Sequence, residues 1–270
     1  MAHPLFRWAG SKKKLVSALI RSYRAGNAER YIEPFAGSAC LFFALEPNHA
    51  ILGDINADLI STYRVVRRSP HRLHAFLSRL PNNRETYYRM RGHNPASLSQ
   101  SQRAVRFLYL NRYCFNGLYR TNAAGQFNVP YGGSRTGPLP GLHDLARCSQ
   151  LLKRAQLVAG DFMIVLERVR ADDFVYLDPP YQVRRRRVFR QYHESGFSVV
   201  DVERLRKAIQ EIDRRDARFL LSYAESVEGR FLAKGFVSKR VKIRRNIAGF
   251  AGNRRSAYEL LISNRPLGEG

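Results

Sequence analysis

The densest group of chemically useful residues is the tetrapeptide Asp178-Pro179-Pro180-Tyr181. It follows the continuously apolar run 174–177, which is typical of a buried parallel strand, so we expect it at the carboxyl end of that strand. Open α/β sheets bind their ligands at this end. Because proline lacks an N–H group, the segment offers acceptors, namely the Asp178 carboxylate and the Pro179 carbonyl, beside the aromatic face of Tyr181.

These acceptors suit a planar aromatic amine that carries two N–H groups. The lone pair of such an amine is delocalised into its ring. Two acceptors at non-planar angles favour the pyramidal form with a localised lone pair, and so stabilise the transition state over the ground state. The amine of a nucleobase has this chemistry. Tyr181 could stack on such a base, which must be flipped out of a duplex to reach the pocket. The alternative interpretation is an ordinary turn that two prolines stiffen.

A turn of small residues in the segment YIEPFAGS, residues 31–38, suggests a second binding site. Small side chains let the backbone approach a bound nucleoside. Asp54 ends the next predicted strand, where nucleotide-binding folds place an acid that accepts hydrogen bonds from ribose hydroxyls. Neither G-x-G-x-x-G nor G-K-S/T is present here, which favours a cofactor without phosphates. S-adenosylmethionine, with its adenosine, amino acid and sulfonium, has this chemistry.

Three further segments could contribute to binding. In RWAGSK, residues 7–12, Trp8 could form a cofactor wall with cation–π attraction to the sulfonium, and Lys12 could bind the cofactor carboxylate. Spacing alone favours a core tryptophan and a solvated lysine. The loop 111–120 is polar and aromatic, and could read base edges. The arginine run 184–187 could clamp phosphates or form only a solvated charged loop.

The charge balance points to a polyanionic partner. The chain has 46 Lys and Arg residues against 22 Asp and Glu residues, a formal net charge of +24. Such an excess disfavours the compact state through self-repulsion unless a partner offsets it. Nucleic acid is the first candidate and an anionic membrane surface the second, while a generally basic proteome would explain the charge without any function.

Other features exclude several protein classes. The three cysteines include no close pair, which argues against a disulfide framework or a zinc site, and we expect no metal. The N-terminus does not resemble a signal peptide, and the longest apolar stretch, 39–45, is too short to span a bilayer. We therefore expect a cytoplasmic, nucleoid-associated protein with no membrane partner. No apolar face looks reserved for another subunit, so we expect a monomer.

The hydrophobic pattern predicts the elements that position these groups. A helix, a strand, a small-residue turn, a second helix and a second strand are predicted at 12–23, 31–35, 36–39, 40–45 and 51–54. This is the opening of a Rossmann-like sheet. Helical spacing dominates from 57 to about 112, and 114–142 has the composition of loops and turns. Later strands are predicted at 156–159, 174–177, 219–223, 236–243 and 258–262, with a helix across 205–212.

The motifs, in their order along the chain, resemble those of the Dam-type DNA adenine methyltransferases. The resemblance covers nearly the whole chain. It rests on R-W-A-G-x-K at 7–12, E-P-F-x-G at 33–37, D-I-N at 54–56, F-L-Y-L-N-R-Y at 107–113, N-G-L-x-R at 116–120, F-N-V-P-Y-G at 127–132 and D-P-P-Y at 178–181. It implies an α/β fold in which residues 1–56 and 145–270 form a Rossmann-like methyltransferase domain. Residues 57–144 would be an inserted helical domain that recognises DNA.

The resemblance also implies an activity and its residues. A methyl group would pass from S-adenosylmethionine to the exocyclic amine of adenine in double-stranded DNA, within GATC or a related site, leaving S-adenosylhomocysteine. The catalytic residues would be Asp178, Pro179, Pro180 and Tyr181. The cofactor would contact Trp8, Lys12, Glu33, Phe35, Gly37, Asp54, Asp161, Phe162 and Asp178. DNA would contact Arg7, Asn116, Leu118, Tyr119, Arg120, Asn128, Pro130, Arg184, Arg185 and Arg187, with Arg120 reading a guanine.

The chain departs from the family pattern at three positions. Ala39 replaces the second glycine of F-x-G-x-G, which we expect to adjust the turn without abolishing binding. Phe115 stands where tyrosine is common, and Ser134 where an aromatic residue would follow.

Two alternative functions are open at the level of sequence. Methylation of RNA or of a protein amide could use the same acceptors, although protein amide methyltransferases usually carry asparagine in place of Asp178 and the helical insertion counts against RNA. A DNA-binding regulator without catalysis is the other alternative, and the intact tetrapeptide counts against it.

Overall fold

A single mixed sheet organises the chain. The computed structural model describes residues 2–8, 12, 16–24, 26–122, 124–181, 197–244 and 256–267. Within them the strands are β1 (Arg30–Glu33), β2 (Ala50–Asp54), β3 (Ala155–Ala159), β4 (Asp173–Leu177), β5 (Arg218–Ala224), β6 (Val237–Arg244) and β7 (Ser256–Ser263). Their order in the sheet is β3-β2-β1-β4-β5-β7-β6. The first five strands are parallel, and β7 runs antiparallel to its neighbours β5 and β6.

Helices cover both faces of this sheet. In the described residues they are α1 (Val16–Arg24), α2 (Cys40–Leu45), α3 (Ala57–Arg68), α4 (Pro70–Leu77), α5 (Arg84–Gly92), α6 (Gln100–Tyr113), α7 (Leu142–Leu152), α8 (Phe162–Leu166), α9 (Val199–Arg214) and α10 (Val227–Ala233). Side-chain caps fix several starts. Ser99 and Ser198 form capping boxes at α6 and α9, and Asn56 accepts from the backbone N–H of Leu59 at α3. No described helix has the length and apolar character to cross a bilayer.

Strand β4 shows how the core is divided. All five of its residues are buried, as the apolar run predicts. Phe174 and Tyr176 point into the cluster that also contains residues of α2 to α7, whereas Val175 and Leu177 point into the cluster formed with α8, α9 and α10. A strand buried on both faces needs apolar residues at every position.

The strand order reverses between β1 and β4. The chain proceeds from β1 outwards to β2 and β3, and then returns to the other side of β1 as β4. The crossovers therefore leave in opposite directions from this point, which opens a crevice at the carboxyl ends of β1 and β4. Ligands of open α/β sheets bind in such a crevice.

The predicted strands and α2 are confirmed, as are helices at α1, α3, α4, α6 and α9. Pattern reasoning missed four helices, α5, α7, α8 and α10. Between β2 and β3 the described residues contribute helices and no strand of the sheet, as helical spacing predicts. Helix α3, at the start of this helical region, also contacts the sheet. Arg64 donates to the carbonyl of Leu157 in β3 at 2.8 Å, and Arg67 donates to that of Ala155 at 3.0 Å. The division at residues 57 and 144 stays a prediction.

Gly53 in β2 allows α8 to pack closely against the sheet. A Cβ atom there would lie 2.4 Å from Cγ2 of Val165, which is buried in α8. We therefore expect Gly53→Ala to lower the free energy of unfolding by about 1–3 kcal/mol, because Val165 must shift within a packed core. Urea unfolding followed by circular dichroism measures this change.

Gly92→Ala is the matched control. Gly92 ends α5, and no atom lies within 4 Å of the position that a Cβ would take there, so alanine should raise the unfolding free energy by about 0.5–1 kcal/mol. Equal stabilities of the Gly53 variant and the native chain would contradict the packing argument.

Candidate active site

Five strands bring polar residues to one edge of the sheet. Asp178 follows β4, the small-residue turn follows β1, and Asp54 ends β2. Ser222 lies in β5, and Glu259 in β7 is in register with Ala224 of β5. Neighbouring strands are about 4.8 Å apart, so groups from β2 to β7 surround one crevice. Parallel pairing aligns the carboxyl ends of β1, β2, β4 and β5, and the antiparallel β7 adds Glu259 at the same edge.

Asp178 is held by one of its two oxygens. Its Oδ1 accepts a hydrogen bond from the Ser222 hydroxyl at 3.1 Å and lies 3.2 Å from Nζ of Lys12. The side chain keeps 21% of its surface exposed. Burial raises the pKa of Asp178, while Lys12 opposes that shift. The contacts with Ser222 and Lys12 thus both engage Oδ1.

Lys12, Tyr181 and Glu259 form a buried cluster beside Asp178. Lys12 donates to Oε1 of Glu259 at 2.9 Å and to the Tyr181 hydroxyl, which itself donates to the same Oε1 at 2.8 Å. Lys12 is only 5% exposed and Glu259 only 3%. Burial acts to lower the pKa of Lys12, but attraction to Asp178, Tyr181 and Glu259 outweighs it, so the pKa is raised and Lys12 stays charged.

The described partners of Lys12 are residues of the protein, and its contact with the cofactor carboxylate stays a prediction. Sequence reasoning missed Glu259 and Ser222. The available signal for Glu259 was an acid within the otherwise apolar run 258–262. A carboxylate in a strand of this kind requires a buried partner.

Tyr181 is positioned by its ring as well as its hydroxyl. The ring packs edge-to-face on Tyr223 with centroids 5.2 Å apart, and Nζ of Lys12 lies 4.8 Å from its centroid. Burial raises the pKa of Tyr181, so its hydroxyl keeps its proton and serves as a donor.

The turn after β1 is tied to the end of β2. Gly37 has a φ of +47°, and its N–H donates to Oδ2 of Asp54 at 2.9 Å. Oδ1 of Asp54 accepts from the N–H of Asn56 at 2.8 Å. Burial outweighs these two hydrogen bonds and raises the pKa of Asp54 to about 6. A Cβ at Gly37 would lie 2.8 Å from the Trp8 indole, so the turn needs glycine for both conformation and space.

Ala39 takes the left-handed conformation for which the family motif has glycine. Its φ is 48° and its ψ 39°. This conformation costs an alanine about 1–2 kcal/mol. Alanine thus adopts a left-handed conformation at this position, and the expectation that the substitution does not abolish binding stays a prediction.

Glu33 lies beneath the turn with an unsatisfied oxygen. It is 2% exposed, and no described residue donates a hydrogen bond to its Oε2. Burial, with repulsion from Asp178 and Asp54, raises the pKa of Glu33 well above its ordinary value, although the nearby Tyr31 hydroxyl opposes the shift. A buried acceptor in this state is suited to a ligand that brings a donor or a positive charge.

Aromatic rings form the neighbouring wall. The ring of Phe35 lies 5.2 Å from that of Phe162 and 6.0 Å from that of Phe197. Asp161 caps α8 by accepting from the N–H of Met163 at 2.9 Å, and it pairs with Arg204. Phe197 and Arg204 were not predicted from the sequence. Ile55, which follows Asp54 and is 49% exposed although apolar, was not predicted either.

The expected DNA-contacting residues lie largely in a hairpin-like segment, 114–132. Isolated bridges join Cys114 to Tyr131 and Thr121 to Phe127. Arg120 donates from Nε to Oδ1 of Asn128 at 2.7 Å. The segment begins with a tight turn where Asn116 has a φ of 55°, a conformation that asparagine tolerates well.

The other expected DNA contacts have different surroundings. Pro130 is exposed and Leu118 half-buried. Tyr119 faces inwards, stacked on Trp8 at 6.0 Å. Arg7 donates from Nη1 to the carbonyl of Arg112 at 3.2 Å. The remaining three expected contacts, Arg184, Arg185 and Arg187, lie outside the described residues.

Disulfides and groups of side chains that could hold a metal ion are absent from the described residues. Cys40, Cys114 and Cys148 are buried free thiols. In the part of the chain that the structure describes, no three His, Cys, Asp or Glu side chains are grouped to hold a metal ion.

The chain is similar to known proteins along most of its length. The family model for D12 class N6 adenine-specific DNA methyltransferase matches residues 8–247. The chain is 36% identical to the type II methyltransferase M.MjaIII of Methanocaldococcus jannaschii, covering 97% of this chain and 98% of that protein. It is 31% identical to a DNA adenine methylase of Escherichia coli, covering 96% and 94%. The sheet, the motif order and these similarities confirm the Dam-type resemblance, and the chain belongs to the D12 class N6 adenine-specific DNA methyltransferases.

Proposed function

We propose that this enzyme transfers a methyl group from S-adenosylmethionine to the exocyclic amine of an adenine flipped out of duplex DNA, within GATC or a related sequence. The proposal rests on the position of Asp178 at the crevice between β1 and β4, where Lys12 and Ser222 hold its Oδ1. The glycine turn and Asp54 flank the same crevice on the other side.

The residues on the β1 and β2 side have the chemistry to hold this cofactor. Asp54 would accept from the ribose hydroxyls, and the unsatisfied Oε2 of Glu33 suits the ammonium of the amino acid. Exposed Ile55, which follows Asp54, would offer an apolar surface to the adenine. When bound, S-adenosylmethionine supplies an electrophilic methyl group and leaves as S-adenosylhomocysteine.

The residues after β4 would act on the amine. Oδ2 of Asp178 and the Pro179 carbonyl would accept its two hydrogens at non-planar angles, which localises the nitrogen lone pair. The ionised Asp178 is also placed to hold the proton that the amine loses as it gains the methyl group. Tyr181 would stack on the base, because its ring is fixed from one side by Tyr223. A base can reach these groups only when it has left the helix stack.

The helical region 57–144 and its hairpin would recognise DNA. Arg120 is oriented by Asn128 and has the donor geometry that reads guanine in the major groove. The excess of positive charge, +24 over the chain, would supply phosphate contacts that do not depend on sequence.

Methyl incorporation tests the activity directly. Purified protein and labelled S-adenosylmethionine would be incubated separately with GATC-containing duplex, with the same duplex lacking adenine at that site, with RNA and with ribosomal proteins. The expected result is label in the first duplex alone, with protection from a nuclease that methylation blocks. Label only in RNA or protein, or in none, would contradict the proposal.

Asp178→Asn should lower the rate of methyl transfer roughly 100- to 1,000-fold, because an amide is a weaker acceptor and cannot take the amine proton. DNA affinity, measured by fluorescence anisotropy, should change little. Glu203→Gln, at an exposed carboxylate of α9, is the control and should keep full activity. An active Asp178 variant would show that this carboxylate is not the acceptor.

Cofactor affinity should depend on pH through Asp54. Its pKa is raised to about 6, so the carboxylate that accepts from ribose is lost as pH falls through that value. We expect the affinity for S-adenosylhomocysteine to weaken towards about tenfold per pH unit below the pKa. The stability of the unliganded fold depends on pH in the opposite direction. The raised pKa of Asp54 reflects a disfavoured charged form, so the contribution of Asp54 to the free energy of unfolding falls as the pH rises towards 6.

Calorimetry between about pH 5 and pH 7 measures this dependence. In Asp54→Asn, which does not titrate, affinity should be lower and this component of the pH dependence should disappear. An unchanged pH profile in the variant would assign the dependence to another group.

Arg120→Ala should cost about 1–3 kcal/mol of discrimination at one guanine position. Asn128→Ala should act in the same direction with a smaller effect, because it removes the acceptor that orients Arg120. Binding competition with duplexes changed at each position measures both. Arg103→Ala, at an exposed arginine of α6, is the control. If Arg120→Ala instead lost affinity equally for every sequence, Arg120 would be assigned to phosphate contact.

A further inference from the structure

We propose that Glu259 is a positioning residue for methyl transfer, acting through Lys12 on Asp178 and directly on the Tyr181 hydroxyl. The inference rests on the proposed roles of Asp178 and Tyr181 in gripping the target base. It adds a residue from β7, which is separated from β4 in the sheet by β5.

The environment of Glu259 requires a specific arrangement of charge. The side chain is 3% exposed and is followed in β7 by Leu260, Leu261 and Ile262, which are buried. A carboxylate is costly to remove from water unless it is paired and hydrogen-bonded. Glu259 satisfies this condition through Lys12, whose Nζ is 2.9 Å away, and the Tyr181 hydroxyl at 2.8 Å. It is therefore built into the cluster beside the acceptor.

The charges explain how Glu259 would affect Asp178. One ammonium, on Lys12, lies between two carboxylates, 2.9 Å from Glu259 and 3.2 Å from Asp178. The positive charge of Lys12 is therefore shared between Glu259 and Asp178 and does not neutralise Asp178 alone. Without the negative charge of Glu259, Lys12 would pair with Asp178 alone. A carboxylate neutralised in this way is a weaker acceptor for the hydrogens of an amine.

The hydroxyl network explains the effect on Tyr181. The hydroxyl accepts from Lys12 and donates to Glu259, so both its donor and acceptor directions are fixed. The edge-to-face contact with Tyr223 restricts the same ring. A neutral acceptor in place of the Glu259 carboxylate would weaken this hydrogen bond and loosen the surface on which the base would stack.

Glu259→Gln separates charge from shape, since the amide retains an acceptor oxygen of the same size. We expect kcat to fall about 10- to 100-fold, the range seen when a hydrogen-bonded partner behind a reactive site is removed. The KM values for DNA and S-adenosylmethionine should stay close to those of the native enzyme. Glu225→Gln is the matched control, because Glu225 follows β5 at the same edge but pairs with exposed Arg240, and kcat should not change.

A second readout does not use turnover. With 2-aminopurine in place of the target adenine, fluorescence reports how the flipped base is held. We expect its intensity in the Glu259→Gln complex to differ from the native complex, and that of Glu225→Gln to match it. A positioning role predicts this change, whereas a purely structural role would appear only as a lower melting temperature.

The outcomes separate the two proposals. Native enzyme that methylates no substrate would overturn the proposed function together with this inference. Native activity with the same kcat and 2-aminopurine signal in Glu259→Gln would overturn this inference alone. If Glu259→Gln does not fold, Glu259→Asp, which keeps the charge, is compared with Glu259→Leu. Higher activity of the aspartate variant supports the charge role, and equal losses overturn it.

Discussion

The buried ammonium of Lys12 is the charge around which the other parts of the site are arranged. It contacts Asp178, Tyr181 and Glu259, and its pKa is raised because their attraction exceeds the opposing effect of burial. Removing such an ion from water is favourable only where opposite charges and hydrogen bonds replace the solvent. The network therefore fixes the Asp178 carboxylate and the Tyr181 ring together. Ser222 completes it by holding the same Asp178 oxygen.

The sheet supplies the second constraint, because it brings two sets of groups to opposite sides of one crevice. The glycine turn and Asp54 lie on the β1 and β2 side, and Asp178 on the β4 side. Close backbone packing makes this possible, with Gly37 against Trp8 and a left-handed turn maintained at Ala39. Under the proposed function, a donor without phosphates and a flipped base would meet in this crevice.

Trp8 links the cofactor side to the DNA hairpin. It packs over Gly37 and stacks on Tyr119, whose ring also contacts Phe127 across the hairpin. The aromatic side chain of Tyr119 is thus part of the support for Arg120. The loop therefore contains a packing residue, Tyr119, beside Arg120, which is proposed to read DNA, and their positions in the motif do not distinguish the two.

The sequence alone determined the strands, α2, the small-residue turn and the place of the tetrapeptide after β4, because these depend on apolar runs, glycine and proline that act locally. It did not reveal α8, since a short apolar stretch fits helix and strand equally and the cap at Asp161 decides between them. Only the tertiary structure placed β7 between β5 and β6, and so brought Glu259 to Lys12 across 247 residues of chain. Strand order arises from long-range packing, and no local pattern records it.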